Sequence, residues 1–278
     1  MRRDSVRPLR RGLAVGKGLE DRRVVFSLGV IVLISLMAIF APGPGPCLIE
    51  RSLAAPTLSA PFGFDVQGCN YLPQVMLGAR TSILIGLAVT LLASTIGIVL
   101  GGVSGFFGGW VDTIVSRATD IVFSVPAIVG ALLLFGFLDN RSVLLVIGVL
   151  TFFSWPPVVS LVRGAVIETR ESAFVESAVA LGASKARVLF RHVIPNSLRP
   201  LFVFLPPFAA SIISMEAILS FVGAGLQLPT VSWGLLLENL GRDLYQAPHL
   251  LIPGFFLAAL VYALVLLGDV YQSSVPQG

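Results

Sequence analysis

The sequence predicts an all-α integral membrane protein with six transmembrane helices. Of its 278 residues, 55% are hydrophobic and only 12% are charged, which no ordinary soluble domain approaches. Apolar runs also recur along the chain, close to the roughly 20 residues that a helix needs to cross a bilayer. The formal net charge is +4, but the basic residues flank the apolar runs without interleaved exposed aromatic residues, which excludes nucleic acid as the expected partner.

The chain starts with a basic arm over residues 1–23, and the first predicted span covers residues 24–41. Cytoplasmic flanks of spans are enriched in Lys and Arg, so we expect the arm to lie in the cytoplasm near anionic headgroups. The span is either a signal anchor or the apolar part of a cleaved signal peptide. The small residues Ala54 and Ala55 lie too far from its end for a usual cleavage site, which favours the anchor.

Residues 42–77 form the first external loop, and the Pro- and Gly-rich stretch PGPGP at residues 42–46 excludes a helix at its start. The loop contains both cysteines of the chain, Cys47 and Cys69. On the side opposite to the cytoplasmic arm, both would face an oxidising compartment. A disulfide between them and two free thiols are both open alternatives.

The second span covers residues 81–103, and small residues recur on every fourth position toward its inner end. In lipid such a stripe lets a second helix approach closely. Van der Waals contacts then stabilise the helix pair, because the hydrophobic effect does not drive helices together in lipid. Glycine has no side chain with which to bind a ligand, so we expect a packing role. The stripe consists of Gly97, Gly101, Gly105 and Gly109.

One short motif in this region suggests a different function. Residues 102–105, Gly-Val-Ser-Gly, resemble the GxSG nucleophile motif of intramembrane rhomboid proteases. A serine nucleophile needs a histidine base within hydrogen-bond reach. His192 lies in a polar segment, and His249 is expected at the opposite end of the bundle from Ser104. An intramembrane serine protease is therefore the less favoured alternative.

The third predicted span covers residues 114–138 and contains Pro126. Arg117 and Asp120 lie three residues apart on one helix face near its inner end, and we expect them to neutralise each other.

The fourth span covers residues 143–162 and contains Trp155, Pro156 and Pro157. Paired prolines leave backbone carbonyls without donors, which is tolerable only against neighbouring protein or a water-filled passage. Trp155 and Pro156 are therefore candidates for lining or bending such a passage, with ordinary kinking of the helix as the alternative.

A polar, charged segment at about residues 168–199 separates spans four and five. Basic residues concentrate here and in the N-terminal arm, which places the segment in the cytoplasm. Gly182 interrupts its helical pattern and Pro195 is expected to stop the pattern, so we predict a short helix, a bend and a second short basic helix. One apolar side is predicted from residues at helical steps, namely Phe174, Ala178, Leu181 and Val188.

The fifth span covers residues 201–222 and contains an acidic residue, Glu216, in its outer half. A carboxylate at that depth must be neutral, paired or wet. One hypothesis is that it organises an outer gate with Arg80 or Arg242, and the alternative is a buried structural pair. The pathway or gate candidates on this span are Ser211, Ser214 and Glu216.

An outer segment, residues 223–249, links span five to span six, residues 250–270, which is followed by a short cytoplasmic tail. One apolar side of a short helix predicts that the segment lies in the outer membrane interface. That side consists of Trp233, Leu236, Leu237, Leu240 and Leu244.

The cytoplasmic segment resembles the EAA loop of bacterial ABC importer permeases, on Glu176, Ser177 and Ala178, then Gly182, then Ile194 and Pro195. Ser177 stands where Ala is usual, and His192 where an aliphatic residue is usual. Further blocks between about residues 62 and 269 are similar, in the same order, to the dipeptide and oligopeptide branch of these binding-protein-dependent systems. They are GFFGGWVD at 105–112, RHVIPN at 191–196, MEAILSFVGAGLQLPTVSWG at 215–234 and LLGD at 266–269. The first external loop departs from that branch, because PFGFD at 61–65 leads to Gly68, Cys69 and Asn70 without the usual charged pair.

The resemblance implies six helices in the type I ABC importer permease (MetI-like) arrangement. It implies a transmembrane subunit that forms half of the pathway of an ATP-driven importer for dipeptides or oligopeptides. A permease of the same architecture for nickel or another small solute is the alternative. The residues expected to couple the chain to an ATPase are Glu176, Ser177, Ala178, Leu181, Gly182 and Ala183.

The chain lacks the GxxxxGK[ST] phosphate-binding loop, and its spans lack the acidic or histidine series of a proton relay. We therefore expect no enzyme, metal or cofactor in this chain, with ATP and Mg²⁺ bound by partner subunits. The expected partners are a second, homologous permease subunit, two ATP-binding subunits, an extracytoplasmic substrate-binding protein and membrane lipid. The expected location is the bacterial cytoplasmic membrane, with both termini in the cytoplasm.

Overall fold

The protein is described by a computed structural model that covers residues 22–43, 45–138, 141–238 and 240–274. Within those ranges the regular secondary structure is helical, which confirms the predicted all-α class. The predicted basic arm, apart from Arg22 and Arg23, lies outside the described residues.

Twelve α-helices follow one another in the described ranges. Five helical segments are long and apolar enough to cross a membrane, and a bent pair of shorter helices makes a sixth crossing when it is counted as one span. The helices are α1 Arg22–Ile39, α2 Tyr71–Phe107, α3 Gly109–Phe123, α4 Ala127–Gly136, α5 Val143–Arg170, α6 Ala173–Ala180, α7 Lys185–Val188, α8 Ile194–Ser197, α9 Arg199–Phe221, α10 Trp233–Leu237, α11 Leu240–Asp243 and α12 Ile252–Ser274.

Helices α2 and α5 lie side by side and form the largest packing interface of the bundle. The glycine stripe makes this possible, since a Cβ at Gly101 would lie 2.7 Å from the carbonyl oxygen of Val159, and a Cβ at Gly105 would lie 2.8 Å from that of Arg163. A Cβ at Gly97 would overlap Val158. The predicted packing role is confirmed for these three glycines, whereas Gly109 faces open space.

A second layer joins α1, α9 and α12. Ile34 and Ala38 of α1 are buried in one apolar cluster with Ile213 of α9 and Leu260 of α12. The first span is thus a packed part of the bundle.

Span three is broken rather than continuous. Helix α3 ends at Phe123, α4 begins at Ala127, and their axes differ by 74°. Pro126 directly precedes α4, where its fixed φ and missing N–H suit a helix start but cannot continue the preceding helix. The single span predicted over residues 114–138 is corrected accordingly.

Two helices extend beyond their predicted limits. Helix α2 begins at Tyr71, inside the stretch assigned to the loop at 42–77, because the Asn70 side chain caps it by accepting a 3.2 Å hydrogen bond from the Leu72 N–H. Helix α5 runs on past residue 162 to Arg170. With 37 residues, α2 is about 55 Å long and projects well past the hydrocarbon core.

The loop between α1 and α2, predicted to be external, is a folded unit. Cys47 and Cys69 form a disulfide, so the structure has the first of the two alternatives that the sequence left open. The Asp65 carboxylate accepts hydrogen bonds from the N–H groups of Gln67 and Cys69 at 2.9 and 2.8 Å. His249 contacts the Phe64 carbonyl oxygen at 2.9 Å. The loop is thereby attached to the outer start of the last span.

Candidate functional site

The polar segment between α5 and α9 contains a short helix with a glycine-dependent end. After α6, Gly182 adopts a φ of +84°, its N–H donates to the Val179 carbonyl at 2.9 Å, and the Ala183 N–H donates to the Ala178 carbonyl at 3.1 Å. This double closure is the Schellman helix end, which favours glycine because an L side chain is strained at positive φ. The bend predicted at Gly182 is therefore present.

Helix α6 buries a different side from the one predicted. Val175 is buried in the cluster that also holds Val188, whereas Phe174 and Leu181 are 46% and 89% exposed. The direction in which the chain leaves α5 decides which side of this short helix meets the bundle, and the periodicity alone does not reveal it. An apolar side of α6 is consequently left facing outward, together with the exposed Glu176 and Ser177.

The second half of the segment continues as helix instead of stopping at Pro195. Helix α7 passes into a π-helical turn, Leu189–Val193, and then into α8, where Pro195 occupies the first turn. A first-turn proline loses no helical hydrogen bond, and the wider π turn before it absorbs the change of register. Leu189 and Val193 are buried, so this half is anchored to the bundle.

Two arginines in the C-terminal half of α5 bind the ends of the neighbouring helices. Arg163 donates from Nε and Nη2 to the two carboxylate oxygens of Asp112, at 2.5 and 2.6 Å, and so joins α5 to the start of α3. Arg170 donates from Nη1 to the carbonyl oxygens of Gly105 and Phe106, at 3.2 and 3.1 Å, and so caps the end of α2. These contacts were not foreseen from the sequence. The only signal was the presence of Asp112 in the GFFGGWVD block.

We expect Asp112→Asn to destabilise the protein by about 1 kcal/mol, because a two-pronged arginine–carboxylate pair is lost. The matched control is Asp120→Asn. Asp120 also pairs with an arginine, Arg117, as predicted, but at 3.8 Å and with both side chains largely exposed. The control should therefore have no measurable effect. Thermal unfolding midpoints of the two variants in one detergent make the comparison, and equal midpoints would contradict the anchoring role of Asp112.

A cavity of about 380 Å³ lies at the break between α3 and α4, against α5 and α9. Of the predicted pathway residues, Ser211 lines it. Trp155 and Pro156 instead point into the packed core, and Ser214 donates to the carbonyl of Ala210 at 2.9 Å outside the cavity lining. The residues of α5 that do line it are their neighbours Phe153, Ser154 and Pro157.

Glu216 is completely buried and surrounded by serine hydroxyl groups. Its carboxylate accepts hydrogen bonds from Ser220 at 2.8 Å and from Ser82 of α2 at 3.1 Å, and the Ser232 hydroxyl group lies close enough to act as a third donor. Each serine oxygen in turn accepts one backbone N–H, with the donors Leu226, Trp233 and Leu235. The single proton of each hydroxyl group is therefore left for the carboxylate.

Among the described side chains, the partners of Glu216 are serines and not Arg80, one of the two arginines named in the gate hypothesis. Arg80 is exposed, and the side chain of Arg242 lies outside the described residues. The carboxylate connects α2, α9 and the start of α10, which makes it a structural junction at the outer end of the bundle. Sequence reasoning missed the serines, because Ser82, Ser220 and Ser232 lie far apart along the chain.

The outer segment, residues 223–249, packs against α2 and α9 of the bundle and does not lie along the membrane interface. Trp233 is fully buried, and its indole N–H donates to the Val75 carbonyl oxygen at 2.9 Å. At Gly234 the backbone passes so close to α9 that a Cβ would lie 2.5 Å from the Ala217 carbonyl oxygen. The predicted interfacial helix is corrected, because its largest apolar residue is a core residue.

The protease motif is not arranged for catalysis. Ser104 is fully buried, and its hydroxyl donates to the Gly101 carbonyl of its own helix at 3.3 Å. His249 contacts Phe64 at the outer end of the bundle. Ser104 lies at the opposite, inner end of α2.

A bundle of apolar helices long enough to cross a membrane, with an exposed short helix and a cavity at a broken span, is an arrangement typical of a transport subunit. A family model for the binding-protein-dependent transport system inner membrane component matches residues 93–277, and the chain belongs to this family. It is a transport component and not itself an ATPase.

Curated relatives support the same class over nearly the whole chain. The chain is 31% identical to the oligopeptide transport system permease protein OppC of Bacillus subtilis (strain 168), over 90% of this chain and 84% of that protein. It is 32% identical to the glutathione transport system permease protein GsiD of Escherichia coli O6:K15:H31, over 86% of this chain and 81% of that protein.

Solved structures confirm the predicted arrangement of helices. The inward-facing MetNI methionine ABC transporter contains a chain that matches with a TM-score of 0.58 and 20% identity, over 73% of this chain and 97% of that one. A second crystal form of the same transporter matches with a TM-score of 0.54. The chain therefore has the fold expected from the resemblance.

Proposed function

We propose that this chain is the transmembrane subunit of an ATP-driven importer and forms half of a pathway for dipeptides or oligopeptides across the cytoplasmic membrane. The observation that carries the proposal is helix α6, which presents motif residues and an apolar side outward at the end of a firmly anchored span. The oligopeptide and glutathione relatives support a peptide substrate.

In this proposal α6 docks in a cleft of an ATPase subunit, which holds the ATP and Mg²⁺. Phe174 and Leu181 supply apolar contact area, and Glu176, Ser177, Ala178 and Ala183 complete the surface around the Gly182 bend. Closure of the two ATPase subunits moves α6. Val175 packs into the core, and Arg170 donates hydrogen bonds to the end of α2. The motion of α6 is therefore transmitted to α2 and α5, which move together as a rigid body.

The broken span supports a second permease subunit as a partner. Helices α3 and α4 expose large apolar side chains, with Ile121 69% and Leu133 61% exposed, and few of their residues are buried within this chain. A homologous subunit packed on this face would enclose the cavity at the break between the two chains. Lipid covers the remaining apolar surface.

We further propose that both termini lie in the cytoplasm and that a substrate-binding protein docks on the opposite face. Basic residues concentrate on the side of the N-terminal arm and of α6. The disulfide lies in the external loop, where an oxidising compartment permits it. The loop and the wedged outer segment form a firm platform for the binding protein.

The test is uptake by the complex that co-purifies with this chain, reconstituted in vesicles with the binding protein outside and ATP inside. We expect ATP hydrolysis to rise and labelled peptide to accumulate only when the binding protein carries peptide. Nickel offered in the same way should not accumulate. Accumulation without nucleotide, or of nickel in place of peptide, would overturn the proposal.

A further inference from the structure

The cavity at the broken span lies beside the middle part of helix α5. Ser154, on its wall, follows the start of α5 by about three turns, or roughly 17 Å. Pro126 lines the cavity on the side of α3 and α4, and Ser211 lines it on the side of α9. The cavity thus lies where helices of three different spans meet.

The wall of the cavity is apolar and adaptable, and its lining side chains carry no charge. Four phenylalanines and a methionine are among the residues that line it. A flexible thioether and aromatic rings accept apolar groups of many shapes. The residues are Phe123, Phe153, Phe204, Phe208 and Met215.

One donor in this wall has no partner. The Ser154 side chain is only 3% exposed, and its hydroxyl oxygen makes no hydrogen bond to the described residues. Buried hydroxyl groups are normally paired, since leaving one unpaired costs free energy. In a helix the usual alternative is the carbonyl four residues back, which Ser211 approximates by donating to Phe208 at 2.7 Å. The Ser154 hydroxyl group thus keeps an unused proton in a residue that lines the cavity.

An acceptor lies beside this donor. Pro157 has no N–H, so the carbonyl of Phe153 loses the partner that a helix normally supplies four residues later. Ser211 adds a second acceptor, because its proton is already donated to Phe208 and its lone pairs remain. A group that fits must both accept and donate hydrogen bonds and carry no charge.

We propose that this cavity contacts the backbone of a peptide in transit, with the Ser154 hydroxyl donating to a peptide carbonyl and the Phe153 carbonyl accepting a peptide N–H. Every peptide has this pair of groups whatever its side chains, and the aromatic wall receives an uncharged side chain without selecting it. The inference rests on the proposed function and adds the residues through which the membrane subunit touches its cargo.

Single-cysteine labelling tests this contact. Both native cysteines are joined in the disulfide, so Ser154→Cys introduces one free thiol into the chain. The complex would be energised with ATP while importing a bromoacetylated peptide that the wild-type complex is first shown to import. We expect the peptide to label Cys at this position during turnover, with excess unmodified peptide reducing labelling at least fivefold. Mass mapping identifies the labelled site.

Ser94→Cys is the matched control, since Ser94 of α2 is also buried with a hydroxyl group that has no partner among the described residues, but lies outside the cavity lining. We expect it to remain unlabelled while uptake continues at the wild-type rate. Equal labelling at both positions, or no labelling of the Ser154 variant while the wild type imports the same peptide, would overturn the inference. If the wild-type complex itself imports no peptide, the proposed function fails instead.

Uptake rates give a second measurement. Ser154→Val removes the hydroxyl group and fills part of the cavity, and we expect it to lower peptide uptake about tenfold, while Ser154→Thr retains a donor and stays within about threefold of wild type. Monodisperse assembly with the partner subunits would show that both variants fold. Equal uptake by the two assembled variants would contradict a contact through the hydroxyl group.

Discussion

A Gly182→Arg variant is expected to insert into the membrane and assemble, yet to import peptide at least tenfold more slowly than the wild type while its ATPase partners still hydrolyse ATP. Gly182 has a φ of +84°, and an L residue in this conformation costs about 1–2 kcal/mol. Apart from its two chain neighbours, no atom of the described residues lies within 4 Å of a Cβ built there, so the side chain would leave the backbone into open space. It would protrude into the surface proposed to meet the ATPase.

Two further variants separate backbone strain from bulk. Asparagine tolerates the left-handed conformation, so Gly182→Asn should retain most uptake. Gly164 also faces open space but lies within α5 without a positive φ, so Gly164→Ala should import at the wild-type rate. Uptake and ATP hydrolysis are measured in the same vesicles. Normal uptake by Gly182→Arg would remove α6 from the coupling mechanism.

Replacement of Glu216 by leucine is expected to lower the free energy of unfolding by about 3 kcal/mol or more, because buried serine hydroxyl groups lose the acceptor to which they donate. Glu216→Gln retains the shape and one acceptor oxygen, but its amide must find acceptors of its own, so we expect about half of that loss. The outer segment should loosen first, since Ser82 binds both Glu216 and the Trp233 backbone.

Tryptophan fluorescence can report this loosening. The chain has three tryptophans, so replacement of Trp110 and Trp155 by phenylalanine leaves Trp233 as the single reporter. We expect its emission to shift to the red in Glu216→Leu as the buried indole meets water. Glu168→Gln is the control, because that carboxylate is exposed. An unchanged unfolding midpoint and unchanged emission in Glu216→Leu would show that the serine junction does not hold the segment.

The parts of the site that follow from local chemistry were predictable. Gly182 was identified as a bend because a helical pattern stops there, and the Schellman end agrees. The glycines of α2 were identified as a packing face from their spacing alone. In each case the signal lies within a few turns of one helix, which is the range over which a sequence pattern reports geometry.

The predictions that were wrong concern junctions between consecutive helices, where the direction of the chain at the end of one helix decides the orientation of the next. Phe174 and Leu181 have the spacing of a buried helix face, yet the buried residue is Val175. The direction of the chain at the end of α5 decides which side of α6 meets the core. Pro195 was expected to end a helix, but a π turn places it where no N–H is needed. Pro126, regarded as internal to a span, separates two helices instead.

The sequence by itself determined a membrane protein of six apolar segments, the cytoplasmic position expected for the polar segment, and its resemblance to importer permeases. These conclusions follow from composition, segment length and charge distribution. The sequence reveals them because a bilayer constrains the polarity and charge of each residue along a segment. Only the tertiary structure decided which hydroxyl groups surround Glu216, which arginines bind the ends of α2 and α3, and which serines line the cavity. Those contacts join residues separated by tens of positions, and their register is set by the packing of whole helices against one another.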